Sequence, residues 1–187
     1  MRLFSVLLVT AVILSVVGCE GEEGPTGPAG NANVVTGTIS PTNEEWLWNS
    51  IYWFGIAEGM GMGYFTRYVD IPVDEITPEI ISTGVVLVFF EAYPGSGSWT
   101  PLPMQFVEGG GSYIINIVYE VMEGMIRLHF FFMPNTSGAA MPNLETYSIP
   151  TYIFNYTVIE GKAMQAMRAG GVDLTDHDRV MEFLATQ

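Results

Sequence analysis

The stretch Met125–Met133, with the sequence MIRLHFFFM, decides the fold because its side chains alternate with a period of two. Arg127 and His129 fall on one face of an extended chain. The other face is apolar and carries Ile126, Leu128, Phe130 and Phe132. This alternation predicts a β-strand with one buried face. A Glu-Gly tight-turn signal at 123–124 precedes it, so we expect a hairpin with an apolar strand over 112–122.

Further strands are predicted on both sides of this hairpin. The run 84–92 is apolar on nearly every position, which indicates a central buried strand. Residues 99–107 contain Pro101 and Pro103, which cannot donate to a ladder, so this strand belongs at a sheet edge. The remaining predicted strands cover 34–39, 46–54, 64–71 and 147–159, with a mobile glycine-rich connection at 55–63. About seven strands without βαβ alternation predict an all-β fold, an antiparallel β-sandwich.

The C-terminal residues follow a different pattern. Residues 162–169 have helical composition but end at two glycines, so we expect a loop or frayed turn there. Thr175 can cap a helix, with Asp178 as a weak capping-box partner. The following apolar stripe predicts a short amphipathic C-terminal helix that packs on the sandwich, through Val180, Met181 and Leu184.

The composition excludes several classes of function. Hydrophobic residues make up 49% of the 187-residue chain and charged residues 14%, so the chain is not intrinsically disordered. A formal net charge of −14 would repel a phosphate backbone, which excludes nucleic acid as a partner. One Cys and two His cannot build an internal disulfide or a Cys/His zinc site. We expect no metal and no cofactor.

The first 18 residues are typical of a signal peptide. Met1 and Arg2 precede an apolar run over 3–17, which is shorter than the roughly 20 residues that a membrane span needs. The run ends in Val-Val-Gly-Cys at 16–19, which resembles the lipobox of bacterial lipoproteins. In that motif the Cys thiol takes a diacylglycerol and becomes the new N-terminus. We therefore expect a lipoprotein signal peptide at 1–18 and a lipidated Cys19 that holds the chain to a membrane.

Residues 19–32 are predicted to be the lipidated Cys and a collagen-like spacer, followed by a β-sandwich domain with a C-terminal helix at 33–187. Glycine occupies every third position from Gly21 to Gly30, which is the collagen period. Two interpretations stand: an extended semi-rigid spacer and a trimeric stalk. Three triplets are too few to hold a triple helix by themselves, which favours the spacer. The oligomeric state stays open, with a trimer as one alternative.

The lipobox, the triplets and the residues GNANV at 30–34 together resemble a family of collagen-like-stub surface lipoproteins of Bacteroidota with a β-rich domain. The acidic residues just after Cys19 resemble the signal that routes such lipoproteins to the outer face of the outer membrane. The resemblance implies a lipid-anchored outer-membrane protein at the cell surface, and it brings no known activity and no catalytic residue. Beyond residue 34 it is one of layout, through a strand end at 71–72, a turn at 76–81, an apolar strand at 84–93 and the segment 99–103.

The aromatic residues are the best candidates for a binding site. Trp46, Trp48 and Trp53 lie close in sequence to Tyr52 and Phe54, and alternation places Trp46 and Trp48 on the same side. Aromatic platforms stack on sugar rings and on partner side chains, while packing in the core is the alternative interpretation. The candidate contacts for a glycan or protein ligand are Trp46, Trp48, Trp53 and Trp99.

The polar candidates are weaker. The acidic residues at 173–178 lack the loop Gly and distal Glu of an EF-hand, so helix capping explains them better than calcium. The acidic residues at 70–75 fit a solvated turn better than a cation site. The sequence assigns no nucleophile or carboxylate to His129, so we expect a lone histidine on an exposed strand face.

Two classes of function remain. We prefer a non-enzymatic surface lipoprotein that serves binding, adhesion or envelope structure. The alternative is a surface polysaccharide hydrolase on a β-sandwich scaffold, with Glu91 and Glu120 as its paired carboxylates. That alternative requires the two carboxylates to face one another, and the sequence spacing does not establish this.

Overall fold

The computed structural model describes residues 34–57 and 60–186, and the side chains of 55–60 lie outside the description. The chain divides into two units, Met1–Gly30 and Asn31–Gln187. All described residues belong to the second unit. The predicted signal peptide, Cys19 and the collagen-like spacer lie outside the described residues.

In the described part of the chain, nine strands form two antiparallel sheets, which confirms the predicted antiparallel β-sandwich. The four-stranded sheet has the order β1-β9-β4-β5, and the five-stranded sheet has the order β2-β3-β8-β7-β6. The strands are β1 Val34–Ile39, β2 Leu47–Ala57, β3 Met60–Pro72, β4 Val85–Glu91, β5 Thr100–Pro101, β6 Met104–Val107, β7 Tyr113–Met122, β8 Met125–Pro134 and β9 Ile153–Ile159.

The main core lies between the two sheets. The predicted apolar face of β8 provides its centre, because Ile126, Leu128 and Phe130 are fully buried there. β4 lies between β9 and β5, which confirms the prediction of a central strand. Alternate residues of β4 complete the core from the other sheet: Val86, Val88 and Phe90.

Residues 99–107 form two strands where one edge strand was expected. β5 pairs with β4, whereas β6 pairs with β7 in the other sheet. Both are edge strands, in agreement with the two prolines of this segment. The chain crosses between the sheets at Leu102–Pro103, which is a cis peptide. This division adds one strand to the eight segments predicted as strands, which gives the nine that the described residues form.

Two of the three described helices correct expectations. The turn expected at 76–81 contains the start of a helix, α1 (Pro78–Thr83), which Thr77 caps. The loop expected at 162–169 is wrong, because these residues form α2 (Gly161–Ala169). Met164 and Met167 of α2 are buried in a second apolar cluster with Phe89, on the other side of β4 from the main core. Burial of this face outweighs the two glycines that follow the helix.

The predicted C-terminal helix is α3 (His177–Ala185), and Val180 and Leu184 bury its apolar stripe. Its cap is one residue later than expected. Asp176 accepts a hydrogen bond from the amide of Arg179 at 3.1 Å, whereas the Thr175 hydroxyl donates to Asp173. Within the described residues, no helix is long and apolar enough to cross a membrane.

Strand pairing and one hydrogen bond between the sheets show which strands begin or end at each end of the sandwich. Val34 and Val85 both pair with Ile159, and the Tyr119 hydroxyl donates to the carbonyl of Val86 at 2.9 Å. Tyr119 lies near the β7–β8 turn, where Pro72 also ends β3. Val34, where the described chain begins, and Pro72, where β3 ends, therefore lie at the same end of the sandwich. β3 starts at the opposite end of the sandwich, where the β2–β3 hairpin lies.

Candidate functional site

The β2–β3 hairpin, residues 47–66, extends past the rest of its sheet. β3 pairs with β8 only from Arg67 to Pro72, and residues 60–66 pair with β2 alone. The mobile connection expected at 55–63 is therefore wrong, since the ladder continues through Trp53–Gly63 and Phe54–Met62 to Ala57–Met60. Pairing between two apolar segments extends the strands into this glycine-rich stretch.

Gly63 has a steric role in the hairpin. A Cβ atom placed on Gly63 would lie 2.9 Å from the Ile51 side chain and 3.1 Å from the Trp53 ring. These two side chains of β2 thus lie across the backbone of β3. A larger residue at position 63 would push the Trp53 ring away from the strand.

Large apolar side chains on the hairpin are exposed to solvent. Trp53 and Phe54 of β2 are 53% and 54% exposed, and Phe65 of β3 is 60% exposed. Trp53 and Phe54 are consecutive, so they lie on opposite faces of the strand. Both faces of the hairpin are therefore apolar and solvent-exposed. The full set of exposed apolar residues on the hairpin is Leu47, Trp48, Ile51, Trp53, Phe54, Met62 and Phe65.

The hairpin is held to the sandwich by aromatic stacking on the outer face of the five-stranded sheet. The Tyr52 ring stacks on Phe131 at 5.8 Å, and the Tyr64 ring stacks on Phe131 at 5.1 Å. Phe131 itself is buried. This contact holds the base of the hairpin on the sheet, while Trp53 and Phe54 further along β2 stay about half exposed.

The four candidate tryptophans occupy three different environments. Trp46 is buried and packs edge-on against Phe130 and Phe154, so it belongs to the core. Trp48 and Trp53 are exposed on the hairpin. The expected shared platform of Trp46 and Trp48 does not form, because Trp46 precedes β2 and enters the core.

Trp99 lies apart from the hairpin, next to the start of α3. Its ring stacks on the imidazole of His177 at 4.8 Å, and Phe89 meets the same imidazole edge-on at 4.9 Å. Trp99 is partly buried and packs against the cluster formed by α2 and α3. Its position is thus that of a packing residue that holds the C-terminal helix.

His129 is fully buried, so the expectation of a lone surface histidine is wrong. Its Nδ1 atom lies 2.9 Å from the Thr66 hydroxyl, and its Nε2 atom lies 3.0 Å from a carboxylate oxygen of Glu120. The sequence concealed both partners, because they lie on the neighbouring strands β3 and β7. Only the strand order β3-β8-β7 could have revealed these partners, because Thr66 and Glu120 lie 63 and 9 residues from His129 in sequence.

The Thr66–His129–Glu120 array has the order of a nucleophile, a base and an orienting acid. Thr66 is fully buried, so its hydroxyl does not reach a surface where a substrate could meet it. The array gives both ring nitrogens of His129 a hydrogen-bond partner, which a buried imidazole requires. Burial lowers the pKa of His129, although the hydrogen bond and charge of Glu120 act in the opposite direction.

This lowered pKa predicts a pH-dependent stability. The unfolded chain binds a proton on His129 near its ordinary pKa of about 6.5, whereas the folded chain resists protonation there. The free energy of unfolding should therefore fall as the pH decreases below about 6.5. Denaturant unfolding at a series of pH values measures it. His129→Gln should flatten the profile, and Glu120→Gln should steepen it. Equal profiles for the wild type and His129→Gln would refute the assignment.

The two carboxylates of the hydrolase alternative lie in different sheets and have separate partners. Glu91 accepts hydrogen bonds from the Gly95 and Gly97 amides at 3.3 and 2.6 Å. Burial raises the pKa of Glu91, but these hydrogen bonds outweigh it, so the net shift is downward. Alternation places Glu91 with Phe89 on one outer face of the sandwich, and Glu120 with His129 on the other. They do not flank a common cleft.

The acidic candidates have structural partners. Asp70 forms a bidentate pair with Arg127, at 2.6 and 2.8 Å. Asp173 accepts from the amide and the hydroxyl of Thr175, and these bonds lower the pKa of Asp173. Asp176 caps α3. Across the described ranges, no three His, Cys, Asp or Glu side chains are placed to hold a metal ion.

The geometry defines an antiparallel β-sandwich that carries an exposed aromatic hairpin at one end. In comparisons with known proteins, the chain matches no family, no curated protein and no solved structure. The function must therefore be argued from the site itself.

Proposed function

We propose that this chain is a lipid-anchored lipoprotein of the cell envelope, surface-exposed at the outer membrane, which makes non-enzymatic contacts through the β2–β3 hairpin. The apolar surface on both faces of that hairpin carries the contact role, and the sequence of residues 1–30 carries the anchor. Monomeric proteins rarely leave contiguous apolar patches larger than about 300–600 Å² exposed, and those patches are often functional. The role is binding, adhesion or envelope structure.

The low charge of the hairpin also supports its assignment as the contact surface. The 20 residues of the hairpin include a single charged residue, Glu58, in a chain that has 20 acidic and 6 basic residues. Residues at interface cores are poor in charge and rich in Trp, Tyr, Phe and Met, and the hairpin has this composition. Its scarcity of hydrogen-bonding side chains favours a protein partner over a polar glycan, which needs such groups for its hydroxyls.

The position of the hairpin suits an anchored protein. The chain enters the described domain at Val34, at the opposite end of the sandwich from the hairpin. The segment that would carry the predicted anchor therefore joins the domain at the end away from the hairpin, which suits a hairpin that makes contacts.

Cell adhesion provides the test of this proposal. Cells that display the full chain should aggregate, or attach to immobilised envelope material, more than cells without it. The double variant Trp53→Lys with Phe65→Lys should abolish this gain. Ile81→Lys in α1 is the matched control, because Ile81 is 50% exposed and lies outside the hairpin. If the hairpin variant adheres as well as the wild type and the control, the proposal is wrong.

The anchor has a separate prediction. Cys19→Ser should block lipidation, so that an unprocessed precursor accumulates and the mature lipidated form disappears from the membrane fraction. Membrane fractionation with detection of the acyl chains measures both effects. Ser15→Ala, in the predicted signal peptide, is the control and should leave processing intact. A processed, membrane-bound Cys19→Ser protein would contradict the lipoprotein assignment.

A further inference from the structure

We infer that the hairpin pairs with a second copy of this chain through the free edge of β2, so that two five-stranded sheets join into one. The inference rests on the proposed function of the hairpin and names its partner. β2 is the first strand of the order β2-β3-β8-β7-β6, so among the described residues no strand lies beside one side of its backbone. Such an edge is a template for pairing with another chain.

The other three edge strands in the described part of the chain are shorter than β2. Proteins protect exposed edges by making them short or by placing Pro, Lys or a bulge there. β1 has six residues, β5 has two residues including Pro101, and β6 has four residues. β2 has 11 residues with neither Pro nor Lys. Its register is regular from Ser50 to Phe54, between irregularities at Asn49 and after Phe54.

A second copy fits this edge better than a partner that covers one face. Apolar residues occupy both faces of the hairpin, and an added strand extends both faces at once. Pairing two β2 strands would place an uncharged apolar stretch against an identical one. The 11 residues of β2 carry no charge themselves, and the nearest acidic residues in sequence, Glu44, Glu45 and Glu58, flank the strand.

The exposed side chains of β2 supply much of the area that a dimer contact at this edge needs. Three of its five exposed apolar side chains are aromatic, and each aromatic side chain offers about 150–250 Å². With about half of each exposed, they supply about 225–375 Å². Leu47, Ile51 and the backbone edge add to this. A standard interface uses about 800 Å² per partner, so the pairing is of the smaller, concentration-dependent kind.

Symmetry fixes the direction of the pairing. A two-fold axis between identical edges of one continuous sheet makes the two strands antiparallel. The hairpins then overlap, and the two Val34 residues lie at opposite ends of the pair. This arrangement suits copies anchored on two facing surfaces, which is the geometry of adhesion between cells.

Sedimentation of the full chain, solubilised from membranes in detergent, tests the inference. The wild type should show the mass of two chains at high protein concentration and of one chain on dilution. Ile51→Lys with Trp53→Lys, both in β2, should weaken the association at least about tenfold, which is about 1.4 kcal/mol. Met62→Lys with Phe65→Lys in β3 is the matched control, with similar exposure and no place at the edge. It should weaken association by no more than about threefold.

Each outcome separates the inference from the proposed function. A single-chain mass at all concentrations overturns the inference, while hairpin-dependent adhesion to a glycan or another protein would still support the proposed function. A mass of three chains also overturns it and indicates a stalk trimer. Equal weakening by the β2 and β3 variants overturns edge pairing and leaves the hairpin as an apolar contact surface.

Discussion

Replacing Arg67 with Met is expected to lower the free energy of unfolding by about 3–5 kcal/mol. The guanidinium is buried beside Trp46 and uses all five of its N–H groups. Nε and one terminal nitrogen donate to the Trp46 carbonyl at 3.1 and 2.6 Å, and the remaining donors bond to Asn43 and to the Tyr147 carbonyl. The substitution would remove all five of these hydrogen bonds, and Asn43 Oδ1 would keep its bond from the Ile149 amide at 2.9 Å. Chemical denaturation monitored by far-UV circular dichroism measures the loss.

Two matched variants isolate the role of the guanidinium. Arg67→Lys keeps the charge but offers three donors, so it should retain only part of the stability. Arg127→Met removes the partly exposed pair with Asp70 and should change stability by no more than about 1 kcal/mol. An Arg67→Met protein as stable as Arg127→Met would contradict the assigned role of Arg67 as the link between β3 and two loops.

Two tryptophan substitutions are expected to have opposite effects. Trp46→Ala should cost about 3–5 kcal/mol of stability, because it opens a cavity between the two sheets next to Phe130 and Phe154. Trp53→Ala should change stability by no more than about 0.5 kcal/mol, since the ring is half exposed. Adhesion should show the reverse order, with Trp53→Ala losing most of it. Thermal unfolding and the adhesion assay, applied to both variants, give the comparison.

Fluorescence provides an internal check on these two variants. Loss of Trp46 should remove blue-shifted emission, and loss of Trp53 should remove emission that a soluble quencher reduces. If Trp53→Ala destabilises the fold as much as Trp46→Ala, the hairpin belongs to the packed core. The contact proposal would then lose its basis.

Local periodicity predicted most of the fold. Strands such as β8 and β4 were correct because burial of one or both faces leaves a direct pattern in the sequence. The helix at 161–169 was missed because flanking glycines outweighed a short stripe, in which only Met164 and Met167 are buried. Docking on the outer face of the four-stranded sheet stabilises this helix, and local sequence carries no record of that contact.

The candidate site was predicted less well than the fold. Exposure of Trp53 and burial of Trp46 depend on where the hairpin leaves the sheet, and alternation alone does not give that point. His129 looked like a surface residue because Arg127 shares its face. Its burial comes from Tyr52, whose ring lies 5.3 Å away, and from partners on β3 and β7. Such contacts require the strand order, which is a long-range property.

Cysteine labelling on intact cells tests most directly the claim that the hairpin is a contact surface. Trp53→Cys in the full chain would be labelled with a membrane-impermeant maleimide on dispersed cells and again on aggregated cells. We expect labelling in dispersed cells and a several-fold decrease in aggregated cells. Ser98→Cys, at an exposed position outside the hairpin, should be labelled equally in both states. Equal labelling of Trp53→Cys in the two states would contradict the claim.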